Sequence, residues 1–148
     1  MRLTFYISLF LLLAGTGQAA THSDAPEAID FIHYRAVITP DMSQQSLEGE
    51  VEIEFMALRA GVRSLQFSSK YKSIHSVTSD ALNFESQIKD DKLTISFADA
   101  LVPHKSYRVR IRYQAKPKRG MRFYSDHMFT VYHTANWLVA HSHLADKS

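Results

Sequence analysis

Histidines are the residues of this chain whose number and spacing come closest to a chemical site. The chain has eight of them, and His141 and His143 are two residues apart, so on a strand both rings would lie on one face. Zinc needs three or four ligands within reach, and the chain has no cysteine to supply a thiolate. We interpret them as surface histidines near a chain end, and a histidine-based metal-binding domain is a less favoured alternative. The densest group comprises His127, His133, His141 and His143.

Other reactive patterns are weaker. Serines are numerous, but no Gly-x-Ser-x-Gly elbow presents one to a base and an oxyanion hole. The arginine row Arg108, Arg110 and Arg112 fits a solvated sheet face, and the cluster from Lys116 to Arg119 fits an exposed turn. The sequence therefore predicts no catalytic residue and no metal ligand.

Two segments in which apolar and charged residues alternate predict the central strands of the fold. In residues 47–58, four glutamates alternate with Val51, Ile53, Phe55 and Ala57, so a strand would bury one face and expose the other. Residues 107–113, YRVRIRY, alternate apolar residues with arginines in the same way. Pairing the two strands would place arginines opposite glutamates, which favours one register over a slipped one.

The remaining chain reads as short strands at spacings of about eight to twelve residues. Residues 29–39 predict a first strand that forms a hairpin with the glutamate strand, with Ile32, Tyr34, Ala36 and Ile38 on one face. Further strands are predicted at 62–67, 74–79, 82–87, 93–97, 121–124 and 129–133. No stretch of more than ten residues has a convincing helical period. The predicted fold class is all-β, an antiparallel β-sandwich.

The first 19 residues have the composition of a secretory signal peptide. Arg2 supplies the positive start, the apolar run from Phe5 to Ala14 is too short to span a bilayer, and a small-x-small site ends at Ala19, the expected cleavage point. A periplasmic or secreted protein without a membrane span is the expectation. Removing Arg2 leaves 16 basic and 15 acidic residues, a net charge of +1 that gives no case for nucleic acid as a partner. Without disulfides, the mature domain must be held by its core.

The order of segments resembles the N-terminal domain of the zinc aminopeptidase N family, gluzincins that include the leukotriene-hydrolase branch. HYRAVITPD, GEVEIEF, YRVRIRYQAKPKRGMRFYSD and VYHTANWLVAHSHLADKS carry the resemblance from Ile29 onward. The sharper part is Gly120 to Tyr124, followed at the family's spacing by residues 134–137 and by Asp146 and Lys147. The resemblance implies a sandwich domain whose partner is a catalytic domain with a peptide substrate. It also implies that zinc and the general base belong to that domain, and this sequence contains neither HExxH nor Gly-Ala-Met-Glu-Asn.

The resemblance also implies a division of the chain. Residues 1–19 would be the signal peptide, 20–28 a flexible lead-in, 29–134 the β-sandwich domain and 135–148 a linker toward a catalytic domain. Predicted interdomain or cleft-side contacts are Thr134, Asn136, Trp137 and Leu138. We expect no cofactor in this chain itself and a non-catalytic product of a truncated aminopeptidase. The alternative is a free-standing exported module that binds a peptide or a partner protein.

The resemblance also predicts the behaviour of the C-terminal segment, residues 135–148. Trp137, Leu138 and Val139 form an apolar cluster that would normally face the catalytic domain. In the isolated chain we expect this cluster to be exposed, to be the least ordered part, and to mediate self-association or partner binding. Burial of the cluster in the sandwich would favour the free-standing module.

Overall fold

The computed structural model describes residues 28–130 and 132–141, in which almost all regular structure is β-strand. Within these ranges the one helical element is a 3-10 turn, Thr134–Asn136. The strands are β1 Ile29–Asp41, β2 Ser46–Ala57, β3 Ser64–Ser68, β4 Lys72–Thr78, β5 Phe84–Lys89, β6 Lys92–Phe97, β7 Ser106–Ala115, β8 Met121–Phe123 and β9 Met128–Thr130.

The strands form two opposed sheets and a separate hairpin. The first sheet has the order β1-β2-β7-β4, the second has the order β3-β6-β5, and β8 pairs with β9. All named strand pairs are antiparallel. Aromatic rings bridge the two sheets, with 6.3 Å between the ring centroids of Phe55 and Phe97 and 6.1 Å between those of Phe31 and Phe67. The predicted antiparallel β-sandwich is confirmed.

The pair formed by β2 and β7 is the centre of the first sheet. Val51, Ile53, Phe55 and Ala57 have no exposed surface. On the opposite face the register sets Glu54 against Arg108, Glu52 against Arg110 and Glu50 against Arg112. The predicted pairing and its inside–outside assignment are both confirmed.

Gly49 fixes the same register through a close contact. It lies opposite Tyr113, and a Cβ at Gly49 would come within 2.4 Å of that tyrosine ring. Because a side chain does not fit there, the fully buried Tyr113 can cross β2 only at this glycine. This contact adds a steric constraint to the electrostatic one.

The predicted face of β1 is partly wrong. A register shift between Phe31 and His33 interrupts the alternation, so Phe31 and Tyr34 both contact the core. Ile32, predicted inward, is 45% exposed, and Ala36 is also exposed. A bulge changes which side chains point inward, and this one lies on an edge strand. Tyr34 and Ile38 pack against the core as predicted.

The other strand predictions are confirmed with small shifts at the ends, except that the last strand, predicted over 129–133, spans only Met128–Thr130. The predicted first hairpin forms, and in its turn the Asp41 carboxylate accepts hydrogen bonds from Ser43 Oγ at 2.7 Å and from the Gln44 amide at 2.9 Å. The predicted signal peptide lies outside the described residues, as does the lead-in apart from Ala28. No helix among the described residues is long and apolar enough to cross a membrane.

Candidate interdomain surface

The described chain ends in a short segment that returns to the sandwich after the β8–β9 hairpin. His133 has a left-handed backbone, with φ of 64°, and the 3-10 turn follows it. The Asn136 amide donates to the His133 carbonyl, and the Trp137 and Leu138 amides donate to the Thr134 carbonyl. These bonds fold residues 133–138 into one compact turn.

A glycine allows this segment to approach the start of β8. Gly120 has φ of +80°, and a Cβ there would come within 2.2 Å of the Tyr132 carbonyl oxygen. An L-residue would meet both backbone strain and a steric clash. The Asn136 side-chain amide donates to the Arg119 carbonyl at 3.4 Å, which adds a contact at the same place.

Lys72 anchors the segment to the edge of the first sheet. Only 8% of its surface is exposed, and its Nζ donates to the carbonyl oxygens of Lys70 and Ala135. Burial lowers the pKa of Lys72 to about 8, and the Asp91 carboxylate partly opposes that shift. A buried lysine of this kind provides hydrogen bonds to backbone carbonyls, but removing its charge from water costs free energy.

The last described residues add a strand-like contact and a buried side chain. The Ser68 amide donates to the Ala140 carbonyl at 3.2 Å, and Val139 has no exposed surface. The hydroxyl groups of Tyr113 and Tyr34 lie by the backbones of Val139 and His141. Burial raises the pKa of both tyrosines well above their ordinary value, and those backbone contacts oppose the rise.

The four predicted contact residues lie together in this turn. Thr134, Asn136, Trp137 and Leu138 are each half-buried, and Trp137 and Leu138 pack against the core. The indole Nε1 of Trp137 is buried without a hydrogen-bond partner among the described residues. The prediction of an exposed apolar cluster is therefore wrong for Val139 and only partly right for the other two, because the sandwich itself offers them an apolar surface.

Two aromatic side chains that shortly precede this turn in the chain are largely exposed. Phe129 is 55% exposed and Tyr132 is 66% exposed. Contiguous exposed apolar surface often marks a contact site. We refer to these two residues and the four predicted contacts as the hairpin–tail surface: Phe129, Tyr132, Thr134, Asn136, Trp137 and Leu138.

The histidines that the structure describes do not converge on a metal site. His127 lies 2.7 Å from the Asp126 carboxylate and stacks on Tyr124, whereas His141 packs on the ring of Phe31 with 5.1 Å between centroids. His143 lies outside the described residues. In residues 28–130 and 132–141, no three His, Cys, Asp or Glu side chains are arranged to hold a metal.

The fold of this chain is similar to that of part of solved zinc metallopeptidases. An M1 zinc metallopeptidase from Deinococcus radiodurans superposes with a TM-score of 0.67 at 14% identity, covering 77% of this chain and 29% of the other. A two-domain M1 zinc metallopeptidase variant bound to L-tryptophan gives a TM-score of 0.66 at 14% identity, covering 76% and 29%. The likeness is one of fold. No protein-family model and no curated protein sequence matches the chain.

The chain spans less than a third of the length of these metallopeptidases. The residues present do not fit a catalytic zinc, because the sequence has no HExxH and the described residues bring no ligand set together. We therefore assign no chemical step through a metal to this chain.

Lys72 and the two exposed aromatic residues were not found from the sequence. Lys72 follows Lys70 and Tyr71 in a stretch that has the composition of a solvated loop. Its burial results from Ala135, 63 residues later, and no local pattern encodes that contact. The aromatic residues Phe129 and Tyr132 were assigned to a short strand, and nothing in their spacing distinguishes core from surface.

Proposed function

We propose that this chain is the non-catalytic N-terminal β-sandwich domain of a secreted zinc-dependent aminopeptidase, present as a truncated product or fragment. In an intact enzyme it would wall one side of the substrate cleft. The observation that supports this most is the fold likeness to M1 zinc metallopeptidases over about three quarters of the chain. Export through a cleaved signal peptide is part of the proposal, and the mass of the mature chain would test it.

The hairpin–tail surface is the face that we assign to the catalytic domain. It combines exposed aromatic side chains with a half-buried turn that lies at the end of the described chain. Such a mixture of apolar and polar groups is typical of interfaces between domains. The occupant is a zinc metallopeptidase catalytic domain.

The experiment mixes purified residues 20–148 with an HExxH-containing catalytic chain from the same organism and measures binding by calorimetry. We expect Phe129→Ser combined with Tyr132→Ser to weaken binding at least tenfold. The control, Val102→Ser, also changes an exposed apolar residue, 56% exposed, in the loop before β7. Equal binding by the unchanged chain, the double variant and the control, or no binding by the unchanged chain, would contradict the proposal.

A second measurement tests the non-catalytic role. Residues 20–148 alone should not hydrolyse aminoacyl arylamides, because the sequence lacks the zinc-binding motif and its general base. Zinc-dependent turnover that a chelator abolishes would show that the chain is an enzyme.

One observation favours the second candidate, a free-standing exported module that binds a peptide or a partner protein. The sandwich covers Val139 and Ala140 with its own residues, so this end of the described chain has an apolar environment without a catalytic domain. Resistance of residues 134–141 to protease in the isolated chain, together with failure to bind any catalytic chain, would make the module the better description.

A further inference from the structure

A basic groove lies beside β8, where the turn between β1 and β2 meets the loop between β7 and β8. It has a volume of about 630 Å³, within the range of pockets that bind small ligands and peptide side chains. Three segments form its walls: the turn between β1 and β2, the loop between β7 and β8, and β8 with the residue that follows. Its principal lining residues are Gln44, Gln45, Lys116, Lys118, Arg122 and Tyr124.

The groove is positively charged and has no acidic lining residue. Lys116, Lys118 and Arg122 contribute three cations, and among the described residues none of them forms an ion pair. The nearby Asp41 carboxylate accepts hydrogen bonds from Ser43 and Gln44, and Lys116 adds only the smallest of the contributions that lower the Asp41 pKa. Among the described residues, no carboxylate therefore forms an ion pair that would compete with a ligand for these cations.

The loop that carries two of these cations is fixed to the sandwich. The Lys116 amide donates to the Tyr71 carbonyl at 2.9 Å, and the Lys118 ammonium lies 5.9 Å from the centre of the Tyr71 ring. A fixed backbone lowers the entropy that the loop loses when it binds a ligand. This turn is consequently more than an exposed basic stretch, which is all the sequence indicates.

The rest of the groove suits a peptide. Met121 is buried, so the accessible apolar surface of the lining comes from the half-buried Phe123 and from Tyr124, which is 45% exposed. The amides of Gln44 and Gln45 can both donate to and accept from a peptide backbone. Nucleic acid fits poorly, because the whole chain has a formal net charge of only +2.

We propose that this groove binds an extended acidic peptide segment, with the ligand's carboxylates on Lys116, Lys118 and Arg122 and its apolar side chains on Phe123 and Tyr124. The basis is local complementarity of charge and surface, which gives specificity and speeds association. The inference goes beyond the proposed domain function, because it requires neither a catalytic domain nor the hairpin–tail surface.

The test measures fluorescence anisotropy of a labelled octapeptide containing glutamate and leucine, with residues 20–148 as the receptor. Two matched peptides replace every glutamate with glutamine or with lysine. We expect the acidic peptide to bind at least tenfold more tightly than either, and to lose affinity as sodium chloride is raised. Equal binding of the glutamate and glutamine peptides would overturn the proposal.

Charge-reversal variants locate the binding site. Lys116→Glu combined with Arg122→Glu should weaken binding of the acidic peptide at least tenfold. Arg59→Glu is the control, because Arg59 is an exposed cation just beyond the other end of β2. If the double charge reversal disturbs the fold, judged by far-ultraviolet circular dichroism, Lys118→Gln with Arg122→Gln replaces it. An equal loss in the control would overturn the proposed location.

Inorganic phosphate is the competing anion. The proposal predicts that millimolar phosphate competes weakly, because it can use the cations but not the apolar lining. Phosphate binding in the groove without any peptide binding would replace the peptide proposal by a simple anion site. Because these measurements use the isolated chain, their failure leaves the assignment of the hairpin–tail surface to a catalytic domain unaffected.

Discussion

The paired strands β2 and β7, which we call the spine, and residues 133–141, which we call the returning segment, are held in place by different kinds of interaction. In the spine, buried residues alternate with outward-facing ones, and at three successive outward-facing positions a glutamate lies opposite an arginine. The returning segment depends on dissimilar contacts that do not repeat, among them the Lys72 bond to the Ala135 carbonyl, the Ser68 amide bond to the Ala140 carbonyl, and the burial of Val139. Repetition makes the spine robust to the loss of a polar contact, whereas the returning segment can detach when one anchor is lost.

The largest expected effect is in the spine core. Phe55→Ala should lower the free energy of unfolding by about 3–5 kcal/mol, because Phe55 is fully buried and its ring lies close to those of Phe31, Phe97 and Tyr107. Urea denaturation followed by circular dichroism measures the loss. Glu52→Ala, on the opposite face of the same strand, is the control and should reduce the free energy of unfolding by only a small fraction of that amount. Similar losses from both changes would contradict the comparison.

The returning segment should respond locally. Val139→Ala removes two buried methyl groups and should lower stability by about 2 kcal/mol. It should also expose the segment: Trp137 is the only tryptophan, so its emission should shift to the red and limited proteolysis should cleave near it. Val102→Ala is the matched control, because Val102 is 56% exposed. Global unfolding without a separate local transition would show that the segment is as integral as the spine.

The sequence predicted the spine because the alternation of buried and exposed residues within each of its two strands is a local pattern. Alternation over Val51 to Ala57 specifies the buried face, and the charges of Glu52 and Arg110 favour the register. Ile32 was misassigned because a bulge shifts the alternation, and bulges have no reliable sequence pattern. The returning segment and the basic groove could not be predicted, because each depends on residues far apart in the chain, such as Lys72 with Ala135 and Gln44 with Arg122.

The anchor formed by Lys72 predicts an unusual dependence of stability on pH. The folded pKa is about 8 and the ordinary value is 10.5, so the unfolded chain binds the proton more tightly. The destabilisation from burying the charge is fully present below pH 8 and decreases as pH rises toward 10.5. We expect the free energy of unfolding to increase between pH 8 and pH 10 by about 1–2 kcal/mol.

Above pH 10 the two buried tyrosines reverse the trend. Burial raises the folded pKa of Tyr34 and Tyr113, so the unfolded chain loses those protons first and stability falls. Denaturation at a series of pH values measures both slopes. Lys72→Met keeps the length of the side chain and should remove the increase between pH 8 and pH 10 but not the decrease above it. An unchanged increase in this variant would show that another group is responsible.

The smallest expected effect is on the exposed face of the spine. Hydrogen bonds lower the pKa of Glu52, mainly from Arg110, and that of Glu54, from Ser106 first and then from Arg108. The contribution of these groups to stability is present above the unfolded pKa of glutamate and is lost as pH falls through the lowered folded values.

Carbon-13 resonances of the side-chain carboxyls, followed through an acid titration, report each residue separately. Arg110→Gln should raise the pKa of Glu52 and leave Glu54 almost unchanged, because Arg108 Nη2 remains 3.0 Å from the Glu54 carboxylate. Salt should reduce both shifts, since these side chains are partly exposed to solvent. Equal changes at Glu52 and Glu54 would mean that the charges act as one diffuse field, and the spine would then lose the position-by-position pairing that distinguishes it from the returning segment.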